Sequence, residues 1–359
     1  SIHEGWKEWT AFERNFQKDN LDRIREYPLT SFRPLTKKPQ GSFSSVGFDP
    51  EQQKVYAAIN HPGDISQIAG MDLQTGEISK NAELDSPMLY TVTFLAYDSQ
   101  QKRIFISERN SKYRSLVGID VETGNKETLI ELSRTGNLAF NSVDRSLWGV
   151  KHDNGYATLV KIPEPYEEVI PMYTTEFGRS MLDLDVSNDG EKLSATLTGV
   201  SGEQSVIMFE LDELEGGKKE FENVYTLPEN TLTQFRFSND DSYLIGVSDY
   251  TGVSNIWRIS LDNKEFELLS NVESGLFMPR QISEDSLFVL KFQRNGMMPG
   301  VMPIKVLKDA NAINYLGNSV IENSPQVVDY SLPPASDMNI DSIKTEETAY
   351  APLKNISLT

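Results

Sequence analysis

The chain contains no cysteine and only three histidines among its 359 residues. The absence of cysteine excludes disulfide bonds, thiolate metal ligands and cysteine nucleophiles, and it is compatible with the cytosol and with an oxidising compartment alike. His3, His61 and His152 are too scattered to be read as a ligand set. The zinc motif H-E-x-x-H is not completed after His3, because Lys7 stands where the second histidine would be. We therefore expect no metal and no cofactor.

Positive charge and long apolar runs are also scarce. The net charge of −19 argues against a nucleic-acid partner, because the phosphate backbone would be repelled. No apolar run approaches the roughly 20 residues that a membrane-spanning helix needs, so we expect no membrane insertion of this segment. The serine-hydrolase elbow G-x-S-x-G and a Gly-rich phosphate loop are missing too, and we predict no catalytic residues and no enzyme activity.

What the sequence does contain is a sixfold repeat. In each copy an apolar strand runs into a polar turn, a second apolar strand follows at once, and two weaker strands complete the unit. The apolar residue that ends the first strand, here called the anchor residue, recurs about every 43 to 51 residues, the period of a four-stranded propeller blade. The anchor residues are Phe48, Tyr97, Phe140, Val186, Phe237 and Ile282. The pattern predicts an all-β fold, a six-bladed β-propeller of four-stranded antiparallel blades.

The chain divides into three regions that differ in composition and periodicity. Residues 1–40 predict a short N-terminal helix, at about 3–26, and a Pro-rich connector; residues 41–318 predict the propeller; residues 319–359 predict an irregular linker or tail. We expect helical structure only in the first region. Four strands are predicted within both the first and the last blade, the last ending near Leu316, so residues 29–36 would be no more than an accessory edge.

The predicted helix carries four aromatic side chains at helical spacing, Trp6, Trp9, Phe12 and Phe16. Burying each of them is worth roughly 1.5–3 kcal/mol, so this stripe needs a partner surface. One interpretation is that the helix packs on its own propeller as an internal brace. The other is that it contacts an adjacent domain of the same polypeptide, and the sequence leaves both open.

A column of channel-facing positions is the candidate partner-binding site. The innermost strand of each blade lines the central channel, and the positions just before the anchors are small in blades one to three but polar in blades four to six. The candidate residues are Asp183, Asp185, Gln234, Arg236, Arg280 and Gln281. The plain alternative is ordinary solvation of a water-filled channel. Residues 183–190 also resemble a calcium loop faintly, without the alternating ligands and distal Glu of an EF-hand.

Two segments carry a family resemblance. Residues 186–193 (VSNDGEKL) and 237–244 (FSNDDSYL) resemble the WD40-like repeats of TolB-type propellers, whereas the Gly-His and Trp-Asp signature of WD40 proteins proper is absent. The chain ends, residues 6–13 and 350–354, look like the junctions of large bacterial envelope proteins. In those proteins a gluzincin-type peptidase domain precedes a TolB-like propeller and an outer-membrane barrel follows. The resemblance implies a periplasmic or cell-envelope location.

Two functions from different classes follow. The first is a non-enzymatic interaction platform of a larger bacterial cell-envelope protein, which binds a protein or peptide partner. The alternative is a hydrolase or lyase whose site, built from carboxylates with Arg236 or Arg280, lies at the channel mouth. The absence of recognised catalytic motifs favours the platform.

Overall fold

The computed structural model describes residues 1–84, 95–109, 114–227 and 230–324. The chain opens with helix α1 (Ile2–Ile24), and a two-residue strand β1 (Arg33–Pro34) follows. Residues 314–359 form a unit separate from residues 1–313, and its described part contains helix α3 (Leu316–Glu322). The predicted connector at 350–354, like the rest of the tail from residue 325, lies outside the described residues. No helix among the described residues is long and apolar enough to cross a membrane.

The first three blades each contain four strands that succeed one another along the chain and pair antiparallel. Blade one contains β2 (Ser42–Asp49), β3 (Lys54–Asn60), β4 (Gln67–Asp72) and β5 (Ile78–Glu83). Blade two contains β6 (Leu95–Asp98), β7 (Arg103–Arg109), β8 (Arg114–Asp120) and β9 (Lys126–Ile130). Blade three contains β10 (Thr135–Phe140), β11 (Leu147–Asp153), β12 (Tyr156–Ile162) and β13 (Ile170–Thr174).

The last three blades follow the same plan, with one exception in blade six. Blade four contains β14 (Ser180–Val186), β15 (Lys192–Thr198), β16 (Gln204–Glu210) and β17 (Glu222–Leu227). Blade five contains β18 (Thr233–Phe237), β19 (Tyr243–Ser248), β20 (Asn255–Ser260) and β21 (Phe266–Leu268). Blade six contains β22 (Leu276–Ser283), β23 (Ser286–Gln293) and β24 (Gly296–Pro303), and its fourth strand is β1. The predicted six-bladed, four-stranded fold is confirmed.

The strand that completes blade six corrects the sequence prediction. β1 pairs antiparallel with β24, with Arg33 opposite Val301, so the N-terminal segment supplies the outer strand that we expected near residues 312–316. After Pro303 the chain instead crosses to blade five, where the backbone N–H of Leu307 donates to the carbonyl of Leu268. The short apolar stretch near residues 312–316 would show the same sequence pattern in a strand and in an extended connection. Only the tertiary contacts distinguish the two.

The core lies between the blades. A hydrophobic cluster fills each interface of neighbouring blades, from blades one and two around the ring to blades six and one. Because each sheet is covered on both faces, its middle strands are buried almost throughout, as in β3 and β16. Helix α2 (Leu211–Glu215) follows β16 and buries Leu211 and Leu214 in one of these clusters. The expectation of helix only near residues 3–26 is therefore correct for α1 but wrong for α2 and α3.

Ring closure brings backbone into close contact at the turn between β4 and β5. Gly76 has a φ of +71°, and a Cβ at this position would lie 1.8 Å from the carbonyl oxygen of Leu35, which follows β1. Any residue other than glycine would have to push the closing segment away.

We expect Gly76→Ala to lower the free energy of unfolding by more than about 1 kcal/mol relative to Gly63→Ala. Gly63 also has a positive φ, +96°, but no atom lies within 4 Å of a Cβ built there, so it controls for the backbone strain alone. Urea denaturation of the two variants measures the difference. Equal stabilities would show that the closing segment yields without cost.

Candidate binding site at the channel mouth

The central channel opens into a cavity of about 350 Å³ at the face where the turns after the anchor residues lie, here called the anchor-turn face. Residues from all six blades line this cavity. Blades one to three contribute mostly apolar side chains, among them Val46, Phe48, Ala96, Ala139 and Phe140. Blades four to six contribute Asp185, Asn188, Arg236, Asn239, Arg280 and Ile282. The channel mouth is thus polar on one side, as the sequence pattern indicates.

Three charged side chains meet on the polar side, each from the innermost strand of a different blade. Nη1 of Arg236 donates to Oδ1 of Asp185 at 3.1 Å, and the backbone N–H of Phe237 donates to Oδ2 at 2.8 Å. Nη1 of Arg280 lies farther away, 4.0 Å from Oδ1 of Asp185. Burial lowers the pKa of Arg280, and the charge of Arg236 acts in the same direction while Asp185 opposes both.

Two other predicted residues, Asp183 and Gln234, lie in β-bulges and join neighbouring blades. Both have a positive φ, as Asn137 and Met278 do at the corresponding bulges. Oδ1 of Asn137 accepts from the N–H of Asp183 at 3.1 Å. Oδ2 of Asp183 accepts from the N–H of Gln234 at 2.8 Å, and Oε1 of Gln234 accepts from the N–H of Met278 at 2.6 Å. A polar bulge residue in blades three, four and five therefore satisfies a backbone donor of the next blade.

The carboxyl group of Asp183 has a shifted pKa. Burial raises the pKa of Asp183, against the opposing effects of the hydrogen bond from Gln234 and the charge of Arg236. Neither Asp183 nor Gln234 is among the residues that line the cavity at the mouth. Their place in the blade-to-blade hydrogen bonds accounts for their polarity without a ligand.

Gln281 is likewise directed toward a neighbouring blade. Its Oε1 accepts from the backbone N–H of Asn239 at 2.9 Å, and it does not line the cavity. Arg280 occupies the channel position in blade six, because it is the first paired residue after the bulge, as Arg236 and Asp185 are in their blades. The structure thus groups Asp185, Arg236 and Arg280 at the mouth and separates Gln281 from them.

A second set of hydrogen bonds and ion pairs joins neighbouring blades at the turns after the anchor residues, and the sequence analysis did not predict it. Oδ2 of Asp49, in blade one, accepts from Tyr97 Oη at 2.8 Å and from Lys102 Nζ at 2.9 Å, both in blade two. Asp98, the corresponding residue of blade two, binds Arg145 of blade three at 2.6 Å. Burial by itself would raise the pKa of Asp49, but hydrogen bonds from Gln52, Lys102 and Tyr97 outweigh it and hold this pKa below its usual value. The signal was present as a basic residue just before the second strand of blades two and three, Lys102 and Arg145.

The resemblance of residues 183–190 to a calcium loop has another explanation in the structure. Asp189 Oδ1 accepts from Ser187 Oγ at 2.5 Å and from the N–H of Glu191 at 2.9 Å, so it closes the turn itself. Within the described ranges, no three His, Cys, Asp or Glu side chains form a group that could hold a metal ion.

The four aromatic side chains of α1 lie away from the end at which the helix is held to the propeller. The helix is fixed at its C-terminal end, where Nδ2 of the buried Asn271 donates to the carbonyl of Ile24 at 3.1 Å. Trp6, Trp9 and Phe12 remain 63%, 51% and 52% exposed. Phe16 is half-buried, and its ring centroid lies 6.3 Å from that of Phe12. Most of the stripe is therefore not buried against the blades of this chain.

A larger cavity of about 1130 Å³ opens on the opposite face, at the seam between blades six and one. Its lining includes His61, Ile65, Phe292 and Arg294. Leu84 also lines it.

Comparison with known proteins identifies the fold but no family. No family model and no curated protein sequence matches the chain. Among solved structures, TolB from Acinetobacter baumannii matches with a TM-score of 0.50 and 12% identity, over 75% of this chain and 64% of that chain. The chain therefore spans less than two thirds of the TolB chain.

Two further matches carry different functions on a similar fold. An oligogalacturonate lyase in complex with manganese has a TM-score of 0.52 and 11% identity, over 73% of this chain and 76% of that chain. Regucalcin, a calcium-binding protein from Agrobacterium tumefaciens, has a TM-score of 0.55 and 14% identity, over 80% of this chain and 98% of that chain. At these identities the likeness concerns the fold alone. The chain has a TolB-like six-bladed propeller fold.

Proposed function

We propose that this chain is a non-enzymatic propeller that binds a protein or peptide partner at the anchor-turn face. The observation that carries the proposal is the construction of the channel mouth. Its cavity has fixed walls, because hydrogen bonds join its strands and turns from blade to blade. Asp185, the one carboxylate among the described lining residues, already accepts hydrogen bonds at both oxygens. Such a site is preorganised for binding, since little ordering entropy remains to be lost on association.

The hydrolase or lyase alternative has less support. General acid–base chemistry needs an accessible carboxyl group with a shifted pKa near a second functional group. Asp183 has a raised pKa, but its carboxylate accepts a hydrogen bond from Gln234 and is not part of the cavity lining. Asp185 lines the cavity, but it is paired with Arg236. We therefore propose binding and not turnover as the role of the channel mouth.

The proposal extends to the setting of the chain. We propose that it is the middle module of a periplasmic or cell-envelope protein, with a zinc peptidase domain before it and an outer-membrane barrel after it. The resemblance of the chain ends and the TolB-like fold support this setting. In it, the exposed stripe of Trp6, Trp9 and Phe12 contacts the preceding domain, and such a contact would bury side chains worth roughly 1.5–3 kcal/mol each.

Site-specific photo-crosslinking in the cells that produce the protein tests the binding face. A photoreactive phenylalanine analogue at the exposed Asn239, at the channel mouth, is expected to crosslink a partner protein. The same analogue at Val200, which is 74% exposed in the β15–β16 turn of the opposite face, is the matched control. Crosslinking from position 200 and not from position 239 would contradict the proposed face. Turnover of a peptide or glycan by the purified chain, abolished by a change at Asp185, would contradict the non-enzymatic role.

A further inference from the structure

The channel mouth is a positively charged spot on an acidic protein. The chain carries a net charge of −19, yet the charged side chains among the described residues lining the mouth are Asp185, Arg236 and Arg280, with a net charge of +1. A cavity with low-dielectric walls concentrates such a local charge and strengthens its interaction with a ligand inside. The local sign therefore favours a ligand group that is negative.

Arg280 is the member of this charged cluster whose hydrogen-bond donors have no acceptor among the described residues. Asp185 is satisfied by Arg236 and by the N–H of Phe237, and the distance of 4.0 Å between Nη1 of Arg280 and Oδ1 of Asp185 is too long for a hydrogen bond. Arg280 donates no hydrogen bond to any described residue, although only 31% of its side chain is exposed. A guanidinium group offers five donors in a planar fork, which matches the two oxygens of a carboxylate.

The size and the apolar lining of the rest of the cavity limit which ligands with a carboxylate can bind there. The remaining wall contains Val46 and Phe48 from blade one, Phe140 from blade three and Ile282 from blade six, so an apolar group has surface to cover. A volume of about 350 Å³ is at the small end for a ligand pocket. A polyanion would be repelled by the net charge of the chain, so a single carboxylate on an otherwise uncharged segment fits best.

We infer that the channel mouth binds the C-terminal carboxylate of a peptide that ends in an apolar residue. The carboxylate lies between Arg280 and Arg236, and the apolar side chain packs on Phe48 and its neighbours. A terminal residue presents both groups from one Cα and needs room for one departing chain, whereas an internal Asp or Glu needs room for two. This inference deepens the proposed function and rests on it.

Titration of the whole chain with three peptides tests the inference. N-acetyl-Ala-Leu-Phe as the free acid is compared with its C-terminal amide and with N-acetyl-Leu-Glu-Phe amide, which carries an internal carboxylate. Chemical shifts of the backbone amides are followed at physiological salt. We expect the free acid to shift resonances at the channel mouth and to bind roughly ten-fold or more tightly than either amide. The first amide lacks the carboxylate, and the internal carboxylate of the second needs room for two departing chains.

Variants of two arginines in blade six locate the carboxylate. We expect Arg280→Gln to weaken binding of the free acid by roughly ten-fold or more and to leave the weak binding of the amide unchanged. Arg280→Lys keeps the charge but loses the fork, and we expect an intermediate loss. Arg294→Gln is the matched control, because Arg294 is exposed in the β23–β24 turn at the opposite end of the same blade. Arg280→Gln is expected to fold, since Arg280 makes no hydrogen bond in the described structure.

Any of three comparisons would overturn the inference: equal affinity for the acid and its amide, preference for the internal carboxylate, or an unchanged affinity of Arg280→Gln. Absence of binding at millimolar free acid would overturn it too. The photo-crosslinking result separates these failures from a failure of the proposed function. Crosslinking at position 239 without a carboxylate preference would leave the binding face in place and refute only the ligand chemistry.

Discussion

Replacing Arg145 with methionine is expected to lower the free energy of unfolding by about 3–5 kcal/mol, because a buried carboxylate loses its partner. Nη2 of Arg145 lies 2.6 Å from Oδ2 of Asp98, whose side chain is 0% exposed. Oδ1 of Asp98 is occupied within its own turn, where it accepts from the N–H groups of Gln100 and Gln101. No other cation of the described chain pairs with Asp98, so the charge would remain uncompensated between blades two and three.

A matched change at the surface controls for the loss of an arginine. Arg179 pairs with Glu176 at 3.1 Å, but their side chains are 38% and 77% exposed. We expect Arg179→Met to cost less than about 1 kcal/mol, as exposed ion pairs do. Urea denaturation followed by tryptophan fluorescence measures both variants. Adding Asp98→Asn to Arg145→Met should recover part of the loss, because a neutral amide is less costly to bury. Similar losses for the two arginine variants would refute the structural role of the buried pair.

Removing residues 1–36 is expected to open the ring and to lower the free energy of unfolding by more than about 3 kcal/mol. The deletion takes away β1, so the outer edge of β24 loses its partner. It also removes Phe32 and Leu35, which are partly buried against the hydrophobic clusters of blade six and contribute part of the roughly 1.5–3 kcal/mol that full burial of each is worth. An unpaired strand edge also promotes association between chains.

A shorter deletion separates the closing strand from the helix. Removing residues 1–19 eliminates the exposed aromatic stripe but keeps the buried Asn20 and Ile24, as well as β1. We expect this chain to unfold within about 0.5 kcal/mol of the full chain, since it loses few buried contacts. Urea denaturation and light scattering compare the two deletions. If both shortened chains unfold at the same urea concentration and remain monomeric, β1 is the accessory edge that the sequence pattern predicts.

The channel mouth shows which site residues the strand periodicity of the sequence can predict and which it cannot. Alternation along the innermost strands placed Asp185 and Arg236 in the channel. In blade six, counting back from the anchor Ile282 gave Gln281, and Arg280 was a candidate beside it without a reason to prefer either. A bulge breaks the alternation, and in blade six one more residue separates the bulge from the anchor, so Arg280 takes the channel position. Bulges depend on backbone conformation, which a period of two does not encode.

By itself the sequence determined the architecture of this protein. Anchor residues at a near-constant spacing, Asp and Asn in the turns that follow, and strands apolar on both faces specify six blades, because such sheets are stable only when stacked in a ring. The tertiary structure alone decided how the ring closes, which polar residues join blades and which line the channel mouth. Those outcomes depend on contacts between residues far apart in the chain, such as Arg33 with Val301 and Asp185 with Arg236, and local patterns carry no information on which partners meet.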